Sequence, residues 1–243
     1  MAQTGFQGFP PETLKFYKNL MKNNNKQWFA SHKGDFDSQV MDPARKFVIA
    51  MGERLARLSP GIIADPRTDR SIFRIFRDTR FSRDKTPYKT NLALWFWEGE
   101  RPRMECSGYY FHLEPSMLML GAGVYMFPKD LLKVYRESVA DEKHGAELEK
   151  ALKAIARKGG YLPGGEQYKT VPRGYDPNHP RAELLKYGGL YTGIELPVPP
   201  ELHTSKLVEF CFNHYKNMAA LHTWLLAMTR RAPQDKKIPL AYK

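Results

Sequence analysis

An α+β fold, with a mainly antiparallel sheet of about four to six strands packed with N-terminal and C-terminal helices, is predicted by three features of this 243-residue sequence. Residues 10–59 carry apolar side chains at helical spacing, residues 70–126 switch to strict alternation, and helical spacing returns after Pro128. Helices and strands kept in separate runs point to α+β rather than to alternating βαβ units. The whole chain, 1–243, is expected as a single domain: a helical N-terminal part over 10–59, the sheet over 70–126, and helices with a loop over 128–243. Hydrophobic residues make up 42% and aromatics 13%, which is enough to build a sizeable core and argues against disorder.

The elements follow from local patterns. Pro10 and Pro11 suit a helix start, with Leu14, Tyr17 and Leu20 on one side. The NNN run at 23–25 breaks that helix and can cap the next, which carries Trp28, Phe29 and Phe36. Pro43 opens a third helix, with Phe47, Met51 and Leu55 in line, ended by Ser59-Pro60-Gly61. Alternation then predicts strands around 71–77, 92–97, 109–113 and 118–124, the last two joined as a hairpin by the turn at 114–116. Helices are expected from Pro128 to about Val139 and from an Asp141 N-cap to Gly159-Gly160. The Gly- and Pro-rich residues 160–181 read as mostly loop, and loops of that length often carry function. A short helix near 181–187, the strand LYTGIEL and a final helix over about 200–230 complete the chain.

Charge narrows the function classes. The formal net charge is +12, and the 21-residue stretch SIFRIFRDTRFSRDKTPYKTN at 71–91 holds Arg74, Arg77, Arg80, Arg83, Lys85 and Lys89 against Asp78 and Asp84 alone. Such a balance permits an anionic ligand or nucleic acid. Cys106 and Cys211 form no CxxC, the N-terminus lacks a basic segment followed by an apolar one, and no run approaches 18 apolar residues. These features predict a cytoplasmic protein with reduced thiols and no membrane partner. Neither GxGxxG before a helix, GxxxxGK[ST], GxSxG nor HExxH occurs, so no cofactor is named by motif and no metal site is assigned.

Pro87 keeps residues 78–90 from forming a helix, so the basic stretch reads as a strand feeding a loop that returns into the next strand at Asn91. Crowded arginines repel and call for counter-charge, from Asp78 and Asp84 or from a phosphate or carboxylate that matches the guanidinium fork. Arg74, Arg77, Arg80, Lys85 and Lys89 are therefore candidate anion ligands, with Tyr88 and Tyr110 as hydroxyl donors or stacking groups. His112, on the same strand face as Tyr110, and Asp78 form the candidate acid–base pair. Arg136 and Arg173 are candidates to join from elsewhere. Gly121 and Gly123 alternate on one strand face, which leaves a floor for a ligand or for a closely packed backbone.

The stretch 71–91, together with GYYFHLEP, GAGVYMFP before a helix carrying Arg136, VPRGYDPNHP and the early NNNKQWFASHK, resembles a bacterial and fungal family, domain of unknown function 2461, from about Gly8 to about Trp224. The resemblance implies a single-domain protein and brings no reaction with it. Its pattern singles out the positions of Arg74, Arg77, Asp78, Arg80, Lys85, Pro87, Tyr88 and Lys89. Three readings stand at this point: an electropositive pocket for a small phosphorylated or carboxylated ligand, with or without catalysis; a nucleic-acid-binding module; and a structural or protein-interaction module whose Arg–Asp cluster is an internal ion-pair network. The third points to Trp95 and Trp97 as an exposed apolar patch.

Overall fold

The computed structural model describes residues 5–232. Its elements are α1 (Pro11–Lys22), α2 (Lys26–Ser31), α3 (Lys33–Asp35), a π-helical segment (Phe36–Met41), α4 (Asp42–Leu55), β1 (Ile62–Ile63), β2 (Leu92–Glu98), β3 (Ser107–Leu113), β4 (Met117–Val124), α5 (Lys129–Ala140), α6 (Glu142–Ala156), β5 (Leu162–Glu166), α7 (Ala182–Leu185), β6 (Tyr187–Pro197) and α8 (Leu207–Thr229). The six strands form one antiparallel sheet in the order β1-β2-β3-β4-β6-β5. The fold is α+β, as the alternation of helical and strand periods predicts.

Alternation divides the sheet into two unlike faces. Leu94, Phe111 and Leu120 stand opposite one another on β2, β3 and β4 and are fully buried. Phe111 meets Phe47 of α4 at 5.0 Å and Phe9 at 6.1 Å between ring centroids. Burial of one such ring contributes about 1.5–3 kcal/mol, which makes this layer the main source of cohesion. The α8 helix lies across β3, β4 and β6 on that side, flanked by α4, α5 and α6. The opposite face carries Ala93, Trp95 and Trp97 of β2, and Tyr110 and His112 of β3.

Helix ends follow the capping rules. Asn25 accepts from the Trp28 N–H at 2.9 Å and Asp141 accepts from the His144 N–H at 2.8 Å. Pro43 stands in the first turn of α4, as expected, and the helical backbone runs on without a break from residue 33 to 55. The missing Pro43 N–H leaves the Gln39 carbonyl without the usual helical donor, and the π-helical segment falls there. The hydroxyl of fully buried Thr13 on α1 donates to that carbonyl at 2.5 Å.

Three expectations change. Residues 71–77 do not form a regular strand; they pair through isolated bridges, Ile72 with Leu94 and Phe76 with Tyr88. Residues 160–181 are not all loop, since Leu162–Glu166 pairs with β6 at the sheet edge, where a Pro is tolerated. Trp95 and Trp97 are not an exposed patch: they are buried with Cys106, covered by Phe73 and Tyr110.

Candidate functional site

The basic stretch folds as an irregular hairpin standing over the face of the sheet that carries Trp95, Tyr110 and His112. Its arms are joined by Phe73 N–H to the Ala93 carbonyl (3.1 Å), Lys89 N–H to the Ile75 carbonyl (2.7 Å) and Arg77 N–H to the Pro87 carbonyl (2.9 Å). Asn24, in the helical layer, clamps it from behind. Its amide donates to the Tyr88 carbonyl at 2.9 Å and accepts from the Tyr88 N–H at 3.1 Å. Between hairpin and sheet lies a cavity of about 410 Å³ lined by Phe73, Arg77, Asp78, Lys89, Asn91, Ala93, Tyr110 and His112. That volume lies within the range of small-molecule sites.

The cations of the stretch divide into two groups. Arg80 forks onto Asp78 at 2.7 and 3.0 Å, and that pairing holds the Asp78 carboxyl down at about 2. Arg77 Nη1 pairs with Asp84 and donates to Thr86 Oγ1, and the Thr86 N–H and Arg77 together hold Asp84 down at about 2. Lys85 Nζ donates to the Thr79 carbonyl at 2.8 Å. These contacts shape the loop. The side chains of Arg74, Arg83 and Lys89, by contrast, make no ion pair or hydrogen bond among the described residues, and of these only Lys89 lines the cavity. Desolvation lowers the Lys89 pKa, and the neighbouring charges of Arg74 and Arg103 lower it further against the pull of Asp69. Arg103 is held there because its carbonyl accepts from Trp95 Nε1 at 3.0 Å, and its guanidinium lies 4.9 Å from the Phe73 ring. Lys89 lies 5.5 Å from the same ring.

Across the cavity stands a hydrogen-bonded row along β3. Tyr110 Oη is 3.0 Å from His112 Nδ1, and His112 Nε2 is 2.8 Å from Glu114 Oε1. The Asn91 amide lies 3.4 Å from His112 Nδ1. Desolvation, with the Glu114 charge, pushes the Tyr110 phenol up to about 12, so it stays protonated at neutral pH.

Of the candidate residues, the fold brings Arg77, Asp78, Lys89, Tyr110 and His112 together at the cavity. Arg74 and Arg80 stand beside it through their coupling to Asp78. Lys85 faces the loop backbone, and Tyr88 turns into the core, stacked on Phe29 at 4.2 Å. Arg136 lines no part of the cavity; its guanidinium covers Tyr168 at 4.7 Å. Arg173 is exposed and lies outside it too. Asp176 and His179 serve their own loop, accepting from the Asn178 and Arg181 N–H groups at 2.8 and 3.0 Å. The glycine floor belongs to the backbone: a Cβ on Gly123 would stand 2.3 Å from the Leu190 carbonyl oxygen, so β6 occupies that space. Glu114 and Arg103 were missed. Glu114 had a usable signal, two residues beyond His112 and so on the same strand face; Arg103 had none.

A family model described as a conserved hypothetical protein, DUF2461, matches residues 12–224. No curated protein matches the chain. No helix among the described residues is long and apolar enough to cross a membrane.

Proposed function

The chain belongs to the DUF2461 family of conserved hypothetical proteins, and on that premise we propose that the cavity over β2 and β3 binds a small phosphorylated or carboxylated ligand. The observation that carries this reading is Lys89: a half-buried ammonium faces the cavity with no acid partner among the described residues, beside two further cations that disfavour its charge. An arrangement that is unfavourable when empty becomes favourable when an anion enters, because charge-assisted hydrogen bonds replace repulsion. Arg77 adds its Nε and Nη2 donors, since only Nη1 is engaged by Asp84 and Thr86. His112, backed by Glu114, is the group placed for proton transfer, and Asp78 acts as a permanent carboxylate. This reading assigns Arg80 and Asp84 to shaping the loop, Arg77 and Asp78 to both the loop and the site, and Lys89 to binding.

The test is thermal denaturation at fixed ionic strength with phosphate, sulfate, nucleotides, sugar phosphates, dicarboxylates and short oligonucleotides. Wild type is compared with Lys89→Met, a change that spares the loop's ion pairs. A ligand at 100 times its Kd stabilises by about 2.7 kcal/mol, about 5–10 °C for a chain of this size. A shift with a small anion that vanishes in Lys89→Met supports the site. No shift with any small anion sinks it.

One observation favours a second reading. Phe81 at the hairpin tip is 95% exposed and sits among Arg80, Arg83 and Lys85, as a base-stacking contact on single-stranded nucleic acid would. Oligonucleotide binding with a steep salt dependence, abolished by Phe81→Ala and indifferent to Lys89→Met, would favour it.

A further inference from the structure

We infer that the ligand of this cavity is an anion that also carries hydroxyl groups, of the sugar-phosphate or sugar-acid class, because the wall opposite the cations turns the Tyr110 hydroxyl toward it as a hydrogen-bond acceptor. The inference rests on the anion-site reading above. Its basis is the row Tyr110–His112–Glu114, in which each proton position follows from the one before.

An ionised carboxylate can only accept, so His112 Nε2, 2.8 Å from Glu114 Oε1, carries the ring proton. In the neutral ring Nδ1 is then bare and must accept. The Tyr110 hydroxyl at 3.0 Å gives it that hydrogen, and the Asn91 amide points its donor at the same atom from 3.4 Å. With its proton committed to His112, Tyr110 Oη shows lone pairs alone to the cavity. The Asp78 carboxylate, also in the lining, is an acceptor with lone pairs to spare beyond its bonds to Arg80. Donors stand on the hairpin side, with Asp78 and across from Tyr110: Lys89 Nζ and the Nε and Nη2 of Arg77. Phe73 and Ala93 supply apolar surface between.

An alkyl anion would satisfy the donors and leave the Tyr110 Oη lone pairs desolvated without a partner, whereas Asp78, exposed and paired with Arg80, would keep its own. A buried acceptor left unpaired costs much more than the bond itself is worth, which is how a site built for a hydroxyl rejects an analogue lacking it. Protonation of His112 would reverse the row: Nδ1–H would donate to Tyr110 Oη, and the phenol proton would turn to the cavity. The hydroxyl preference therefore belongs to the neutral ring. The groups facing His112 are Glu114 and Tyr110 on its own strand, Asn91 before β2, and Asp78, Arg77 and Lys89 across the cavity; Met119, its partner on β4, is apolar.

The experiment is titration calorimetry at about pH 8, with glucose 6-phosphate against hexyl phosphate and gluconate against hexanoate. The proteins are wild type, Tyr110→Phe and Lys89→Met. The expected result is that the hydroxylated member of at least one pair binds wild type about tenfold or more tightly than its alkyl partner. Tyr110→Phe narrows that gap and leaves hexyl phosphate unchanged, while Lys89→Met weakens both members. Whichever pair binds identifies phosphate or carboxylate as the anion. Equal or tighter binding of hexyl phosphate overturns the hydroxyl requirement and leaves the anion site standing; no binding by any of the four overturns both. Should Tyr110→Phe melt early, the wild-type comparison decides alone.

Discussion

His222 on α8 makes the fold sensitive to acid, and the size of the effect can be worked out. The ring is 1% exposed. Its Nε2 is 2.8 Å from Ser59 Oγ and its Nδ1 is 2.9 Å from Ser107 Oγ. Ser59 Oγ in turn bonds Glu98, so the neutral ring is fully partnered: Nε2–H donates to Ser59, and Ser107 donates to Nδ1. Tyr109 packs on one side at 4.7 Å between ring centroids. The Glu98 carboxylate is 3.9 Å away and would favour a charged ring, but desolvation wins and lowers the His222 pKa to about 4. A histidine of the unfolded chain titrates near 6.5, so between these values the unfolded state binds a proton that the folded state refuses, and stability falls as pH falls. The loss is about 2 kcal/mol at pH 5 and about 3 kcal/mol at pH 4 relative to neutral pH. Half-buried His214, lowered by desolvation, adds in the same direction. Urea unfolding of wild type and His222→Gln at a series of pH values isolates the term, because His214 and the carboxylates cancel in the difference. The variant should lose most of the slope between about pH 6.5 and 4. An identical slope in the two proteins would refute the reasoning, whatever their absolute stabilities.

Three further expectations follow from the fold. Thr13→Val, which leaves the Gln39 carbonyl buried and unpaired, should cost about 1–3 kcal/mol in urea unfolding; a change near zero would mean that the π-helical segment satisfies that oxygen by itself. Gly123→Ala should cost at least about 2 kcal/mol, because Gly123 holds φ +136 and its Cβ would strike the Leu190 carbonyl; a wild-type melting temperature would show that β4 and β6 separate easily. Asn24→Ala should speed hydrogen exchange at the Tyr88 and Lys89 amides without changing exchange in β3, and uniform acceleration would mean the clamp supports the whole fold rather than the hairpin.

Much of the fold was legible because one sheet face is buried. Phe111 and Leu113 against Tyr110 and His112 declare both the strand and its two environments. The hairpin over 71–91 was legible as a strand, a loop and a return, since Pro87 and the charge density exclude a helix. Its irregular pairing was not, because isolated bridges leave no period. The LPGGE strand carries almost no intrinsic β preference and exists because β6 offers it an edge. At the site, Lys89 and Tyr88 were equal candidates by composition, yet adjacent residues in extended backbone point to opposite sides, and one lines the cavity while the other enters the core. Glu114 was readable from its spacing to His112. Arg103 was not, since bonds set only by the tertiary fold, from the Trp95 indole to the Arg103 carbonyl and from the Arg103 guanidinium to the Arg70 carbonyl, carry it to the Phe73 ring.

The central claim is that Lys89 awaits an anion, and the most direct measurement is its own ionisation. Nitrogen-detected NMR of the Lys89 ammonium, titrated in chloride and in inorganic phosphate at matched ionic strength, reads it without reference to any activity. The account expects a pKa below the ordinary lysine value in chloride and a rise in phosphate that the exposed lysines do not share. An ordinary pKa in chloride, or a Lys89 value that ignores phosphate, would contradict it.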